Sequence, residues 1–458
     1  MSRSTGAFAP QWRTTSIGIA VAISLFAFEA MAVATAMPVA VRDLGGLAFY
    51  GWPFSVFLVC NVLGLVLAGR WGDRVGPRAP LVSGIAVFVL GLVVAGTAGA
   101  MVPFVLGRGL QGFGVGLATV GVFLIVATAY PQEVQPKAMA VVSTAYVLPA
   151  FVGPLVSGSL TTYVSWRWVF LGLVPLILAG LALLLPVLRR LPVPDREVPQ
   201  DRGRVLYALL AGVGAVLLQY GASTAVDGGA GPGSAVALLL GAPLLGWGLH
   251  RLLPSGVWRL RAGVPAVVGQ RGLLAGAFYA VESAVPLALV SLHGYSPMVA
   301  GLPLLSGAIG WWLGAQLQGR SQTASREALI RRGFLALLVC VAGIGLLSLP
   351  GAPGWPTYLV WACGGLGMGL GVPSTGVLIL ALSPEGTEGA NSSALQIADV
   401  IAAALCISFG GVLIGAAEHG AFTLSTALAL LCAAMSLIAL TGTLTTTPDR
   451  AKTAVAQR

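Results

Sequence analysis

The chain has 458 residues, of which 57% are apolar and only 9% charged, against about 25% charged in a soluble domain. So few charges cannot cover a water-facing surface, which excludes a soluble globular protein and predicts a polytopic, all-α membrane protein. The net charge of +10 does not indicate nucleic acid, because the basic residues lie in short loops between apolar spans and not along one face.

A membrane span needs about 20 apolar residues. In chain order the apolar segments predict fourteen helices. The first six lie near 15–40, 49–69, 79–99, 102–129, 138–162 and 166–188. Two more lie near 204–222 and 232–252, separated by the turn "DGGAGPG". The last six lie near 266–292, 298–318, 328–349, 355–382, 391–416 and 421–445. The first segment is too long for the apolar part of a signal peptide and carries a carboxylate, Glu29,.

Basic residues concentrate in cytoplasmic loops. With the N-terminus inside, 22 of the 25 basic residues fall on the cytoplasmic side, Arg251, Arg259, Arg261 and Arg271 among them. Arg42 and Arg167 fall outside, and Arg108 lies within a helix. An even number of spans follows, with both termini cytoplasmic; twelve spans would satisfy the same bias. The charged, Pro-rich stretch "RRLPVPDREVPQDRGR" is the clearest internal boundary,. The expected organisation is a six-helix bundle (1–188), a cytoplasmic linker (189–203), two inserted helices (204–262), a second six-helix bundle (263–445) and a cytoplasmic tail (446–458). The chain also echoes itself: "FAFEAMAVATAMPVAV" in the first helix and "GAFYAVESAVPLAL" in the ninth share Ala-Phe, an acid and a later proline. Such repeated halves are a common plan of secondary transporters. The five cysteines fall inside apolar spans without metal-ligand spacing and read as small buried side chains,.

Three motifs stand out. "GRWGDRVGPR" joins the second and third helices, with Gly69, Asp73, Arg74, Gly76 and Arg78; its glycines permit a tight turn,. Its aspartate can pair with arginines or with a helix N-terminus. "RGLQGFGVG" places Arg108 inside the fourth helix, at about 2.5–3.5 kcal/mol on insertion scales. It should face a cavity, meet a carboxylate, or act as an interhelical tether. "PAFVGPLVSG" carries Gly153, Pro154, Ser157 and Gly158, a kink with small residues that admits a close neighbour,.

Together these motifs resemble the signatures of the major facilitator superfamily. With fourteen helices and an inserted central pair, the chain looks like its drug:proton antiporter branch. The resemblance implies a gating role for the 69–78 loop, proton coupling at Arg108, and an antiporter motif at 153–158. Pro149 and Ser157 depart from the usual glycines there. "SWRWVF" (165–170) and "GYSPMVAGLPLLSGAIG" (294–310) also resemble family segments, and "GRSQTASREALIRRG" (319–333) is a degraded copy of the gating loop. The second half otherwise matches by layout.

Three carboxylates lie within predicted spans: Glu29, Glu282 and Asp399. Desolvation favours the neutral form of a carboxyl. An acid that gains and loses a proton in a span suits a proton-coupled carrier, with the deprotonated form attracting a cation. Glu29 ranks first, Glu282 and Asp399 assist, and Arg108 couples. The alternative for each acid is a structural hydrogen bond or interhelical pair. Asn61, Gln111, Tyr146, Trp311 and Gln396 are cavity candidates, as hydrogen-bonding or cation–π groups, or else polar glue between helices. Gln219 belongs to the same polar set, and His250 and His293 read as interfacial. No Gly-rich run ends in Lys-Ser or Lys-Thr, so ATP is not expected as the energy source,. No cofactor, metal or enzymatic activity is expected.

The expected function is a proton-driven exporter of lipophilic or cationic drugs. It would be a monomer in the plasma membrane, with protons, a small molecule and lipid as partners. Two alternatives are a narrow-specificity carrier of a metabolite or self-made antibiotic and a non-transporting receptor or scaffold.

Overall fold

The Glu29 segment folds as one long helix, α1 (Arg13–Asp43), and helices account for nearly everything that follows it. The computed structural model describes residues 6–44, 52–189, 191, 203–226, 231–295, 297–321, 324–418 and 420–446. Most of the linker at 189–203, part of the turn at 227–233, His419 and the tail from 447 lie outside the described residues.

After α1 come α2 (Trp52–Val75), α3 (Arg78–Gly96), α4 (Met101–Ala129), α5 (Gln135–Thr144), α6 (Val147–Tyr163), α7 (Arg167–Leu171) and α8 (Leu173–Leu188). Then follow α9 (Gly203–Val226), α10 (Pro232–Leu252), α11 (Val264–His293), α12 (Pro297–Arg320), α13 (Arg326–Leu347), α14 (Thr357–Leu382), α15 (Glu388–Glu418) and α16 (Leu424–Thr445). No strand occurs among the described residues.

Among the described residues, eleven of these helices and the α7–α8 run taken together, twelve spans in all, are long and apolar enough to cross a membrane. The other two of the fourteen expected spans are helical but fall outside that set. One is α12, whose 24 residues include glycines, two tryptophans and two glutamines. The other is the fifth span, broken into α5 of 10 residues and α6 of 17. The break has a local cause. Pro149 has no N–H to return to the Ala145 carbonyl, and its ring crowds that turn. The freed Ala145 carbonyl instead accepts a hydrogen bond from Ser24 Oγ at 2.8 Å, tying the break to α1. Pro175 stands in the same relation to Leu171, where α7 ends and α8 follows.

One sequence expectation is corrected here. Arg271, grouped with the cytoplasmic loop arginines, lies inside α11 and is 6% exposed. A basic residue near the start of an apolar span cannot be assigned to loop or helix by counting charges alone.

The chain divides into two compact units. One is Met1–Gly212 with Ser383–Ala394; the other is Val213–Leu382 with Leu395–Arg458. Each contains a helix made unusually narrow by glycine. In the first unit, α4 lies against α2 and α3 so closely that a Cβ on Gly116 would sit 2.7 Å from the Leu65 nitrogen. One on Gly107 would sit 2.7 Å from the Ala95 nitrogen. In the second unit α14 does the same between α12 and α13: a Cβ on Gly369 would lie 2.7 Å from the Ala315 nitrogen, and one on Gly367 2.6 Å from the Gly333 oxygen. Without a water-driven force between helices, such backbone-to-backbone packing is what holds membrane helices together.

Candidate functional site

In the first unit the α2–α4 contact positions a buried charge. A Cβ on Gly112 would strike the backbone of Phe57, so α4 is pressed onto α2 there. Arg108 is one turn earlier on α4, and its guanidinium lies over the Phe57 ring, 4.5 Å from the centroid. Arg108 Nη1 donates to Glu29 Oε1 from α1 and to Gln111 Oε1 on its own helix. Arg108 is 3% exposed and Glu29 1%. Each charge would be costly alone; together they offset much of that cost. The network is not complete. Glu29 Oε2, Arg108 Nε and Gln111 Nε2 are buried and have no hydrogen-bond partner among the described residues. Buried polar groups are normally paired, so a partly satisfied set keeps capacity for another proton or polar group.

The second unit has the same glycine geometry with different contents. Gly365 meets the backbone of Gly307, as Gly112 meets Phe57, and Gly369 meets the Trp311 carbonyl, as Gly116 meets that of Asn61. One turn before Gly365 stands Trp361, in the place of Arg108. Phe278 from α11 stacks on Trp361 at 4.8 Å and meets Trp311 edge-on at 5.6 Å. An aromatic stack thus occupies the position of the ion pair. Glu282 is one turn beyond Phe278, half-buried. It forms no hydrogen bond or ion pair among the described residues.

A charge pair of the second unit lies elsewhere. Arg271 Nε donates to Asp399 Oδ1 at 2.5 Å, Nη1 to the Val372 carbonyl at 3.0 Å and to Thr375 Oγ1 at 3.3 Å, and Nη2 to Gln396 Oε1 at 3.4 Å.

The 69–78 segment is a helix end and tight turn, not an open loop. Gly76 takes φ of 78°, which only glycine adopts freely,. Asp73 is buried, 4% exposed, and accepts from the backbone nitrogens of Gly389 at 2.5 Å and Ala390 at 2.8 Å. It therefore satisfies two orphan donors in the first turn of α15, where the helix dipole favours an anion. Gly69 and Gly389 face each other: a Cβ on Gly389 would lie 2.8 Å from Asp73 Oδ1, and one on Gly69 2.8 Å from Ser393 Cβ. Ser393 Oγ donates to the Leu65 carbonyl at 2.6 Å.

Other predicted residues act as ties. Asn61 Nδ2 donates to the Gly112 carbonyl at 3.3 Å, linking α2 to α4. In the 153–158 motif, on α6 with Gly153, Pro154 and Gly158, Ser157 Oγ donates to the Ala32 carbonyl of α1 at 2.7 Å. Tyr146 is 43% exposed at the α5–α6 break. His293 Nε2 is 3.1 Å from the Leu347 carbonyl. Beyond the span, Asp43 at the end of α1 accepts from Trp166 Nε1 at 3.0 Å and Arg167 Nη1 at 2.8 Å. The Trp166 and Arg167 hydrogen bonds lower the Asp43 carboxyl below its ordinary range.

The structure thus joins Glu29, Arg108 and Gln111 in one cluster and Gln396 and Asp399 in another, and leaves Glu282 alone. Sequence reasoning missed Phe57, Arg271 and Trp361. Arg271 carried a usable signal, an arginine inside the predicted span 266–292. The two aromatics carried none, because nothing separates them from other ring side chains in apolar runs.

Residues 19–364 match the family model described as Major Facilitator Superfamily. An uncharacterized MFS-type transporter of Mycobacterium tuberculosis is 29% identical over 291 residues, 61% of this chain; the match takes in only 41% of that relative's length. A protein of the same organism named "Probable multidrug-efflux transporter" is 27% identical over 428 residues, 89% of this chain and 88% of its own. The crystal structure of a human organic anion transporter, at 15% identity, covers 96% of this chain and 100% of its own with a TM-score of 0.71; that likeness shows the fold alone.

Proposed function

We propose a function from one premise: the chain belongs to the Major Facilitator Superfamily, a family of membrane transporters. It is a multi-pass membrane protein that carries a small molecule. Beyond this, the proposed activity is proton-coupled export of lipophilic or cationic compounds by alternating access. In this reading the protein works as a monomer in the plasma membrane, with fourteen spans and both termini cytoplasmic. The name of the full-length M. tuberculosis relative supports efflux.

The observation that carries the reading is the incomplete Glu29–Arg108–Gln111 network. With Glu29 deprotonated, its charge is held by Arg108. A proton taken up on the carboxylate cancels the attraction and frees the guanidinium, which still has Gln111 and the Phe57 face as neighbours. A cationic substrate competes with the proton for the same negative charge, and that competition couples the two fluxes. Glu282, with no ion pair among the described residues, is the second acid of the cycle. Asp73, seated on the first amides of α15, serves as a latch whose release accompanies a change of state.

The test is transport by the purified protein in vesicles under an imposed pH gradient, with cationic dyes as probes. Glu29→Gln keeps the size of the side chain and removes its titration. It should abolish the response of flux to the gradient. Unchanged pH dependence in this variant would remove Glu29 from the coupling step.

A further inference from the structure

Arg271 is buried in α11, and all three of its guanidinium nitrogens find acceptors. They reach Asp399 and Gln396 on α15, and the Val372 carbonyl and Thr375 hydroxyl on α14. Among the described residues no polar side-chain atom of Arg271, Gln396 or Asp399 is buried without a partner, and the Asp399 side chain is 18% exposed. Beside this tie, α11 and α15 are in close contact. A Cβ on Gly272, the next residue, would meet the Ala398 carbonyl at 3.2 Å, and one on Gly276 would meet Cys406 Sγ at 2.7 Å. The planar fork of arginine suits several acceptors held at fixed places, and a lysine ammonium would not reproduce it.

A residue that carries a transported proton must lose and regain its partner in each cycle. Freeing Asp399 would break a guanidinium out of a set of bonds that joins three helices. Glu29 differs, because its pair already contains unpartnered atoms. We infer that Arg271 is a positioning residue for transport, holding α15 to α11 and α14 through Asp399 and Gln396, and that Asp399 acts through this tie and does not carry the coupled proton. The inference rests on the transport reading above for its functional half.

The experiment compares Arg271→Gln, Asp399→Asn, the double variant and Arg271→Lys in the full-length protein. Each is scored by melting in detergent and by dye flux into vesicles. Either neutral single variant leaves one charge unopposed, the buried Arg271 or the half-buried Asp399, so both should melt lower and transport more slowly than the parent. The double variant should recover melting temperature and flux above both singles, with a coupling of about tenfold in rate. Its remaining flux should still respond to the pH gradient. Arg271→Lys should fall between parent and Arg271→Gln. The inference is overturned if Asp399→Asn and the double variant melt like the parent yet both lose the pH response, because Asp399 then carries the proton. It is overturned equally if neither single variant changes melting or flux. If the parent itself shows no gradient-driven flux, the transport reading fails, and the melting arm still decides the tie.

Discussion

The two units place unlike chemistry on like scaffolds. In the first, a glycine-lined helix presents Arg108 to Glu29 of α1, over the ring of Phe57. In the second, the matching turn presents Trp361 to Phe278 of α11, over Gly307. Size is exchanged within each set: arginine faces a ring, and the larger indole faces a residue with no side chain. The ties to the neighbouring helix are exchanged as well. The first unit joins α1 to the broken α5–α6 span by two hydroxyls, Ser24 to Ala145 and Ser157 to Ala32. The second joins α11 to α15 by the Arg271–Asp399 pair. A backbone plan set by glycine contacts therefore leaves the electrostatics of each unit free to specialise. The first keeps its charge where bonds are incomplete, and the second keeps it where every guanidinium nitrogen is bonded.

The largest effect should come from opening the first pair. Arg108→Met leaves Glu29 buried without a cation, expected to cost about 3–5 kcal/mol of stability. It should appear as a lower melting temperature and low folded yield, with transport lost. The comparison can be sharpened by moving the second unit's solution into the first. The triple variant Glu29→Phe, Phe57→Gly, Arg108→Trp replaces an ion pair by a packed apolar one, a change that is often neutral for stability. It should melt above Arg108→Met and still fail to transport. A triple variant that melts no better than Arg108→Met would mean that the two turns are not equivalent.

These contrasts were only partly legible in the sequence. Glu29 and Arg108 were, because a charge in an apolar run is costly enough to need a reason. Asp73 was, because its loop pattern is specific, although its partners, two amides 316 and 317 residues away, could not be read from spacing. The sequence points to Asp399 but not to its partner, because a charge census groups Arg271 with the loop arginines. Asn61 reads as a ligand group or as glue and Ser157 as part of a close helix contact, and they donate to the carbonyls of Gly112 and Ala32. The break at 145–146 was missed because apolar periodicity continues across it; the proline that causes it was in view. The twelve spans that meet length and hydropathy requirements among the described residues also fall short of the fourteen read from apolar runs, because a split helix and a glycine-rich one dilute the signal.

A middle-sized effect is expected at Gly307, where the second unit makes room for its indole. An added Cβ would lie 2.6 Å from Trp361 Cδ1. Gly307→Ala should therefore force the ring or α12 to shift, costing about 1–3 kcal/mol. Thermal melting and indole fluorescence would both report it. A Gly307→Ala protein with unchanged melting and emission would show that Trp361 is not confined, and the size exchange between the units would lose its basis.

The smallest effect belongs to the exposed pair at the end of α1, which separates buried from solvated electrostatics on one helix. Asp43 accepts from Trp166 and Arg167, but its side chain is 49% exposed, so solvent screens the interaction,. Its carboxyl is lowered from the ordinary value of 3.8. For a lowered carboxyl, the stabilisation is complete above the ordinary value and fades as pH falls through the lowered one. Asp43→Asn should thus melt slightly below the parent at neutral pH, with the difference closing only below pH 3.8. Added salt should shrink the same difference, while leaving that of Arg108→Met largely intact, because a buried pair is poorly screened. If salt instead reduced both differences alike, Glu29 and Arg108 would be responding as solvated charges, and the contrast between a dry, incomplete pair and a wet one would not hold along α1.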